Sequence, residues 1–159
     1  MTGEIEGLPF KIKIDSFIEG KAITDLKTTQ TLDRTFRYFI PDSGERLPFY
    51  LAFGYDTQLA IYREIVRQNT GDTLRCYLAC VDKKPHPICD IIELTPKMLD
   101  EALNRVKGKC ESIIMLKNGE VEPIRCESSE CDYCRDTHVC TLISASDFEL
   151  NEDNKSEEK

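Results

Sequence analysis

Residues 11–29 read KIKIDSFIEGKAITDLKTT, and the fold turns on how this stretch pairs. Two runs, KIKID (11–15) and KAITDLK (21–27), alternate apolar and polar residues with period two, and Phe17-Ile18-Glu19-Gly20 between them is turn-like. Alternation over a strand's length marks a half-buried strand, so a β-hairpin is expected. Asp15 closes the first run, while Asp25 and Lys27 lie two apart in the second and so project from one face. Pairing of the two strands would bring Asp15 close to Asp25. Two carboxylates and a lysine on one face suit a hard divalent cation: Mg²⁺ and Mn²⁺ prefer oxygen, and Mg²⁺ takes one or two carboxylates with waters and phosphate oxygens. Such a cation acidifies bound water and offsets charge on a phosphoryl oxygen, while the lysine orients or deprotonates that water. The three side chains thus cover the roles of one reaction, hydrolysis of a phosphodiester.

Upstream, EIEGLPF (4–10) reads as a short first strand and turn. Downstream, residues 28–43 form a polar connector with aromatics beside the expected site, and Pro41-Asp42-Ser43-Gly44 marks a turn. From Pro48 to Gln68 the spacing of Phe49, Phe53, Leu59, Tyr62, Ile65 and Val66 is helical, with Gly71 ending the run. Gln58 and Tyr62, four apart, share one face of that helix. LRCYLACV (74–81) reads as a buried strand and ICDIIEL (88–94) as its partner. Thr95 is a good helix N-cap with Pro96 in the first turn, and that helix should stop at Asn118-Gly119. The expected fold class is α/β, a mixed β-sheet flanked by helices.

Composition bounds the rest. The 159 residues suit one core, and 40% hydrophobic with 31% charged residues is ordinary for a globular chain. No apolar run has the length of a membrane span and the N-terminus has no signal-peptide pattern, so a cytoplasmic protein without membrane contact is expected. The net charge of −8 argues against a broad nucleic-acid surface, but Lys11, Lys13, Lys21, Lys27, Arg34 and Arg37 make the first forty residues locally basic. Arg34 and Arg37, with Tyr38 and Phe39, are candidates to contact a DNA strand through phosphate charge and base stacking. His86, between Pro85 and Pro87, reads as a surface turn residue.

Cys76, Cys80, Cys89 and Cys110 read as buried thiols. Cys126, Cys131, Cys134 and Cys140 crowd into fifteen residues and read as a metal site before disulfides, holding tetrahedral Zn²⁺ or an iron–sulfur cluster. His138 is a further candidate ligand, and reduced, unliganded cysteines are the plain alternative. Three segments are expected: a core over 1–120, a cysteine-rich metal-binding segment packed on it over 121–145, and an acidic disordered tail over 146–159.

Asp15, then Asp25-Leu26-Lys27-Thr28-Thr29, then Gln58-x₃-Tyr62 on the next helix resembles the PD-(D/E)xK nuclease superfamily, over roughly residues 4–115. The likeness is to the branch of phage-type recombination exonucleases and RecB-like nucleases, where DxKTT and QxxxY recur. A DxK on a strand is by itself most often a solvated charge pair, and Tyr62 also fits an apolar helix face; the conjunction carries the resemblance. It implies a restriction-endonuclease-like core and a Mg²⁺- or Mn²⁺-dependent deoxyribonuclease, an exonuclease in phage or bacterial recombination and repair. It further implies metal ligands Asp15 and Asp25, Lys27 as the water-activating residue, and Gln58 and Tyr62 positioning the strand or the metal-bound water. Thr28 and Thr29 join Arg34 and Arg37 as DNA contacts. DNA, a single-strand annealing protein and further copies of the chain are the implied partners. Cys131-x₂-Cys134-x₅-Cys140 is similar to the C-terminal trio of the iron–sulfur subgroup of RecB-like nucleases, with Cys126 here in place of that subgroup's far-upstream fourth ligand.

Family members usually carry a helix before the first strand, often with a glutamate or histidine that completes the site. This chain starts almost at that strand. The expectation therefore divides between a truncated nuclease, a nuclease drawing its third acid from elsewhere, such as Glu4 or Glu6, and a catalytically inactive protein that binds DNA or a partner protein.

Overall fold

Glu6 and Gly7 both adopt positive φ (47° and 79°), the geometry of the tight turn that matches strand twist. They join β1 (Thr2–Ile5) to β2 (Leu8–Lys11) in an antiparallel hairpin with Ile5 opposite Leu8. The computed structural model describes residues 1–41, 43–124 and 131–145. Contacts divide the chain into a unit of Met1–Pro123 and a unit of Ile124–Lys159.

The second hairpin is shifted from the expected pairing. β3 is only Ser16–Ile18, and it lies antiparallel to the first residues of β4 (Ala22–Thr29), Ser16 facing Thr24. Lys11 belongs to β2 and residues 12–15 to no strand. The alternation of KIKID has a different cause: Ile12 is buried in the core, its amide bonded to the Met1 carbonyl, and Ile14 packs against the same cluster. Residues 12–15 carry the chain from one hairpin to the next, leaving Asp15 just ahead of β3.

A four-stranded sheet in the order β3-β4-β7-β8 forms the centre, with β7 (Arg75–Asp82) parallel to β4 and β8 (Cys89–Leu94) antiparallel to β7. A parallel neighbour requires a crossover, supplied here by β5 (Tyr38–Ile40), β6 (Glu45–Leu47), α1 (Phe49–Ala52) and α2 (Tyr55–Thr70). The helix expected from Pro48 to Gln68 is thus broken. Gly54 takes φ 67° as the residue before α2, a left-handed conformation that ends α1 and re-aims the chain. Gly71 closes α2 at φ 83° and accounts for the expected stop. α3 (Pro96–Lys117) starts as expected, Thr95 Oγ1 accepting from the Met98 amide at 3.4 Å, and Asn118 is its C-cap.

One face of the sheet and the inner faces of α2 and α3 make the core: Ile23, Cys76, Leu78 and Cys80 from the strands, Leu59, Ala60, Ile65 and Val66 from α2, and Leu99, Ala102 and Cys110 from α3. Two ion pairs cross between the helices, Arg63 with Asp100 and Arg105 with the buried Asp56. α2 is also tied to the first hairpin. Gln68 Oε1 accepts from the Glu4 amide at 3.0 Å and its Nε2 donates to the Glu4 carbonyl at 2.7 Å. Gly3 lies where a Cβ would come within 2.4 Å of Gln68 Oε1, so glycine permits the close approach. The other face of the sheet exposes Leu26 (61%) and Ile91 (74%), with Ala79 between them in register. β8 is an edge strand, and Cys89 at its start is exposed rather than buried; Cys76, Cys80 and Cys110 are buried as expected.

In the second unit, the described residues contain α4 (Asp132–Asp136), capped by Cys131 and without buried residues. Among the described residues no helix is long and apolar enough to cross a membrane.

Candidate active site

Alternation along β4 turns Ile23, Asp25, Lys27 and Thr29 toward the helices and leaves Leu26 and Thr28 exposed. Asp25 is therefore a carboxylate inside the core, 1% exposed. Its Oδ1 accepts from Gln58 Nε2 at 3.1 Å. Its Oδ2 lies 2.6 Å from Lys27 Nζ. That contact is a charge-assisted ion pair, and Lys27 is the partner of this buried oxygen.

Asp15 reaches the same place from its loop. Its Oδ2 accepts from the Leu26 amide at 3.0 Å, which pins the carboxyl beside the strand between Asp25 and Lys27. From α2, Gln58 Nε2 also donates to the Tyr62 hydroxyl at 2.8 Å, and that hydroxyl donates to the Lys13 carbonyl at 2.8 Å. One turn of helix spacing thus links the Asp15 loop, β4 and α2. Tyr55, at the start of α2, adds its ring, the centroid 4.6 Å from Lys27 Nζ.

The electrostatics follow from burial against pairing. Burial dominates at Asp25 and raises its carboxyl above the ordinary 3.8; Lys27 pulls it back, and Asp15 pushes it up again. Burial opposes the charge of Lys27, but the ion pair with Asp25, aided by Tyr55 and Asp15, outweighs it and holds the ammonium above its ordinary value. Two neighbouring carboxyls with one lysine leave negative charge incompletely offset. Two adjacent carboxylates, one of them buried and paired with a single lysine, are a donor set that fits a hard divalent cation with waters or phosphate oxygens filling its remaining positions. Among the described residues no group of three or more His, Cys, Asp or Glu side chains gathers as a metal cluster, so Asp15 and Asp25 form a two-carboxylate arrangement.

The structure thus brings Asp15, Asp25, Lys27, Gln58 and Tyr62 together. Thr28 and Thr29 are not brought to the same point. Thr28 turns to the opposite, exposed face, and Thr29 is buried at 4%, its hydroxyl donating to the Thr31 carbonyl at 3.3 Å. Arg34 and Arg37 are exposed in the connector, Arg37 Nη1 donating to the carbonyls of Arg34 and Phe36. Phe39 is exposed, with the Arg46 guanidinium over its ring at 5.9 Å. Glu6 belongs to the turn of the first hairpin and pairs with Lys107, and Glu4 is tied through its backbone to Gln68. His86 is exposed in its turn.

The cysteine expectation is not supported. Cys131 and Cys134 lie one helical turn apart on α4, Cys140 lies beyond it and is exposed, and these three do not gather as a metal-holding group. Cys126 lies outside the described residues.

Sequence reasoning missed Tyr55 as a partner of Lys27. The signal was available: Tyr55, Gln58 and Tyr62 follow three- and four-residue spacing on α2 and so share its face.

A family model described as "PDDEXK-like domain of unknown function (DUF3799)" matches residues 1–137. The crystal structure of a "Putative exonuclease" from Eubacterium rectale is similar at 45% identity and a TM-score of 0.80, over 92% of this chain. The match spans 54% of that protein, about half its length. No curated protein matches the chain. The mixed sheet with its flanking helices is a restriction-endonuclease-like fold, and the chain belongs to the PDDEXK-like DUF3799 family.

Proposed function

We propose that this domain belongs to a metal-dependent deoxyribonuclease and carries its phosphodiester-cleaving site at Asp15, Asp25 and Lys27. The observation that carries the reading is the convergence of these three side chains with Gln58 and Tyr62 through direct hydrogen bonds and an ion pair. Family membership and the exonuclease description of the structural neighbour support the same reaction class, with action from a DNA end as its finer form.

In this reading Asp15 and Asp25 hold Mg²⁺ or Mn²⁺, which when bound supplies an acidified water and charge stabilisation at the phosphoryl oxygens. The Leu26 amide fixes the Asp15 carboxyl, and Gln58 fixes Oδ1 of Asp25, so both ligands are oriented before the cation arrives. Lys27, paired with Asp25 at 2.6 Å, stands beside the carboxylate, where it would orient the attacking water and face the charge that builds on the phosphate. Tyr62 holds Gln58 in place through its hydroxyl and anchors the Lys13 backbone just before Asp15.

The test is degradation of linear DNA with Mg²⁺, Mn²⁺ or EDTA by the wild type, Asp25→Asn and Lys27→Ala. Metal-dependent loss of DNA that both substitutions abolish supports the proposal. DNA binding that survives both, with no cleavage by a folded, metal-supplied protein, supports instead a binding protein on the same fold.

A further inference from the structure

A run of aromatic rings leads away from Lys27. Beside Tyr55, whose ring lies under the ammonium, comes Phe53 with its centroid 5.9 Å away and its plane tilted by 35°. Tyr38 follows at 4.9 Å from Phe53 and Phe36 at 5.0 Å from Tyr38, both pairs meeting edge to face at 66° and 83°. These rings come from α2, the α1–α2 break, β5 and the connector, so the tertiary fold assembles the row. Two of its members are not buried as core aromatics would be: Phe53 is 53% and Phe36 40% exposed. Arg34 and Arg37 flank Phe36 and line with it a cavity of about 410 Å³. The loop that carries them is held in shape. Arg37 is bonded to two of its carbonyls, and Asp33 Oδ1 accepts from the Thr35 amide and hydroxyl at 2.8 and 2.7 Å. Asp33 and Asp90 also line the cavity, and the Asp33 oxygen used by Thr35 is thereby committed within the loop.

Neighbouring exposed rings beside arginines form the chemistry that holds unpaired bases. The π-faces stack on bases regardless of sequence, and the guanidinium groups meet the phosphates. A duplex keeps its bases stacked inside and offers such rings only its backbone. From this arrangement we propose that Phe53 and Phe36, with Tyr38 between them, form a stacking track for single-stranded DNA leading to the Asp25–Lys27 site. The substrate at the point of cleavage is then an unpaired strand, free or frayed from a duplex end. The proposal rests on the nuclease reading for the identity of the site, and the substrate class is what it adds.

The experiment measures binding of labelled single-stranded DNA and blunt duplex DNA of equal length in EDTA, where cleavage does not intervene. Wild type is compared with Phe53→Leu, Phe53→Trp and Phe36→Ala; leucine keeps apolar packing but removes the π-face, and tryptophan restores it. Phe53→Leu and Phe36→Ala should each weaken single-strand binding roughly five- to hundredfold, the range for losing one stacked base. Duplex binding should stay unchanged and Phe53→Trp should bind single strands like wild type. In the presence of Mg²⁺, Phe53→Leu and Phe36→Ala should raise KM for single strands with kcat retained, the mark of lost uniform binding, and Phe53→Trp should leave KM unchanged. Unchanged single-strand affinity in folded variants, equal loss on both substrates, or tighter binding of single-stranded RNA than DNA would overturn the track. The two readings fail separately. Cleavage that needs Asp25 but ignores Phe53 and Phe36 leaves the nuclease and removes the track; single-strand binding that needs the phenylalanines, without any cleavage, does the reverse.

Discussion

Removing the Gln58 amide tests whether the site is held together as described. Gln58→Ala deletes two bonds, one to a 1%-exposed carboxylate at 3.1 Å and one to the Tyr62 hydroxyl at 2.8 Å. A hydrogen bond to a charged group contributes about 1.5–3 kcal/mol and a neutral one about 0.5–1.5 kcal/mol. Gln58 is only partly buried, so water replaces some of this, and a loss of about 2–3 kcal/mol is expected. Tyr62→Phe removes the partner of the second bond and the donor to the Lys13 carbonyl, a loss of about 1 kcal/mol. The two substitutions share one bond, so the double variant should lose less than the sum, by roughly 0.5–1.5 kcal/mol. Urea unfolding of the four proteins in EDTA, with unchanged m-values, measures the cycle. In Mn²⁺ titrations Gln58→Ala should weaken binding by about 10- to 100-fold, the usual effect of losing a group that orients a metal ligand. Additivity within about 0.3 kcal/mol would refute the shared bond, and with it the linkage of α2 to β4 through Gln58.

Two other predictions concern the scaffold. Glu6 sits at φ 47°, strained for a residue with a Cβ, and its pairing with Lys107 at 3.9 Å is a surface contact of little worth. Glu6→Asn should therefore stabilise the first hairpin by about 0.5–1 kcal/mol in thermal unfolding, since Asn-Gly suits this turn. Glu64 is held below its ordinary 4.5 by Arg67, against some desolvation, with Gln68 helping. The unfolded chain then takes up a proton more readily than the folded one. The stability from Glu64 is present above the unfolded value and is lost as pH falls through the lower folded value. Glu64→Gln should flatten the acid limb of a pH–stability curve as pH falls below the ordinary carboxyl value, with no change in slope near neutrality.

Local periodicity carried much of this structure. Asp25 and Lys27 share a face because strands alternate, Gln58 and Tyr62 because helices repeat near four, and the caps at Thr95 and Gly71 follow from their chemistry. Period two did not distinguish strand from buried loop at KIKID. Ile12 and Ile14 alternate with Lys11, Lys13 and Asp15 because the segment runs along the core, yet no strand pairs with residues 12–15. Apolar spacing continues across Phe53-Gly54, so the break between α1 and α2 depended on the backbone freedom of one glycine. Cys89 occupies a position of apolar type, but an edge strand left it exposed. The approach of Tyr55 to Lys27, and the row through Phe53, Tyr38 and Phe36, join residues from separate elements. No window of sequence contains such a contact.

If Asp25 and Lys27 perform metal-dependent cleavage, turnover of linear DNA depends on both side chains and on the cation. Rates are measured with Mg²⁺, Mn²⁺ or EDTA for wild type, Asp25→Asn and Lys27→Ala, each checked for native unfolding behaviour. Cleavage should be abolished by EDTA and lowered by at least about 100-fold by each substitution. Cleavage that persists in EDTA or in folded Lys27→Ala, or no cleavage by the folded wild type with metal, would contradict it.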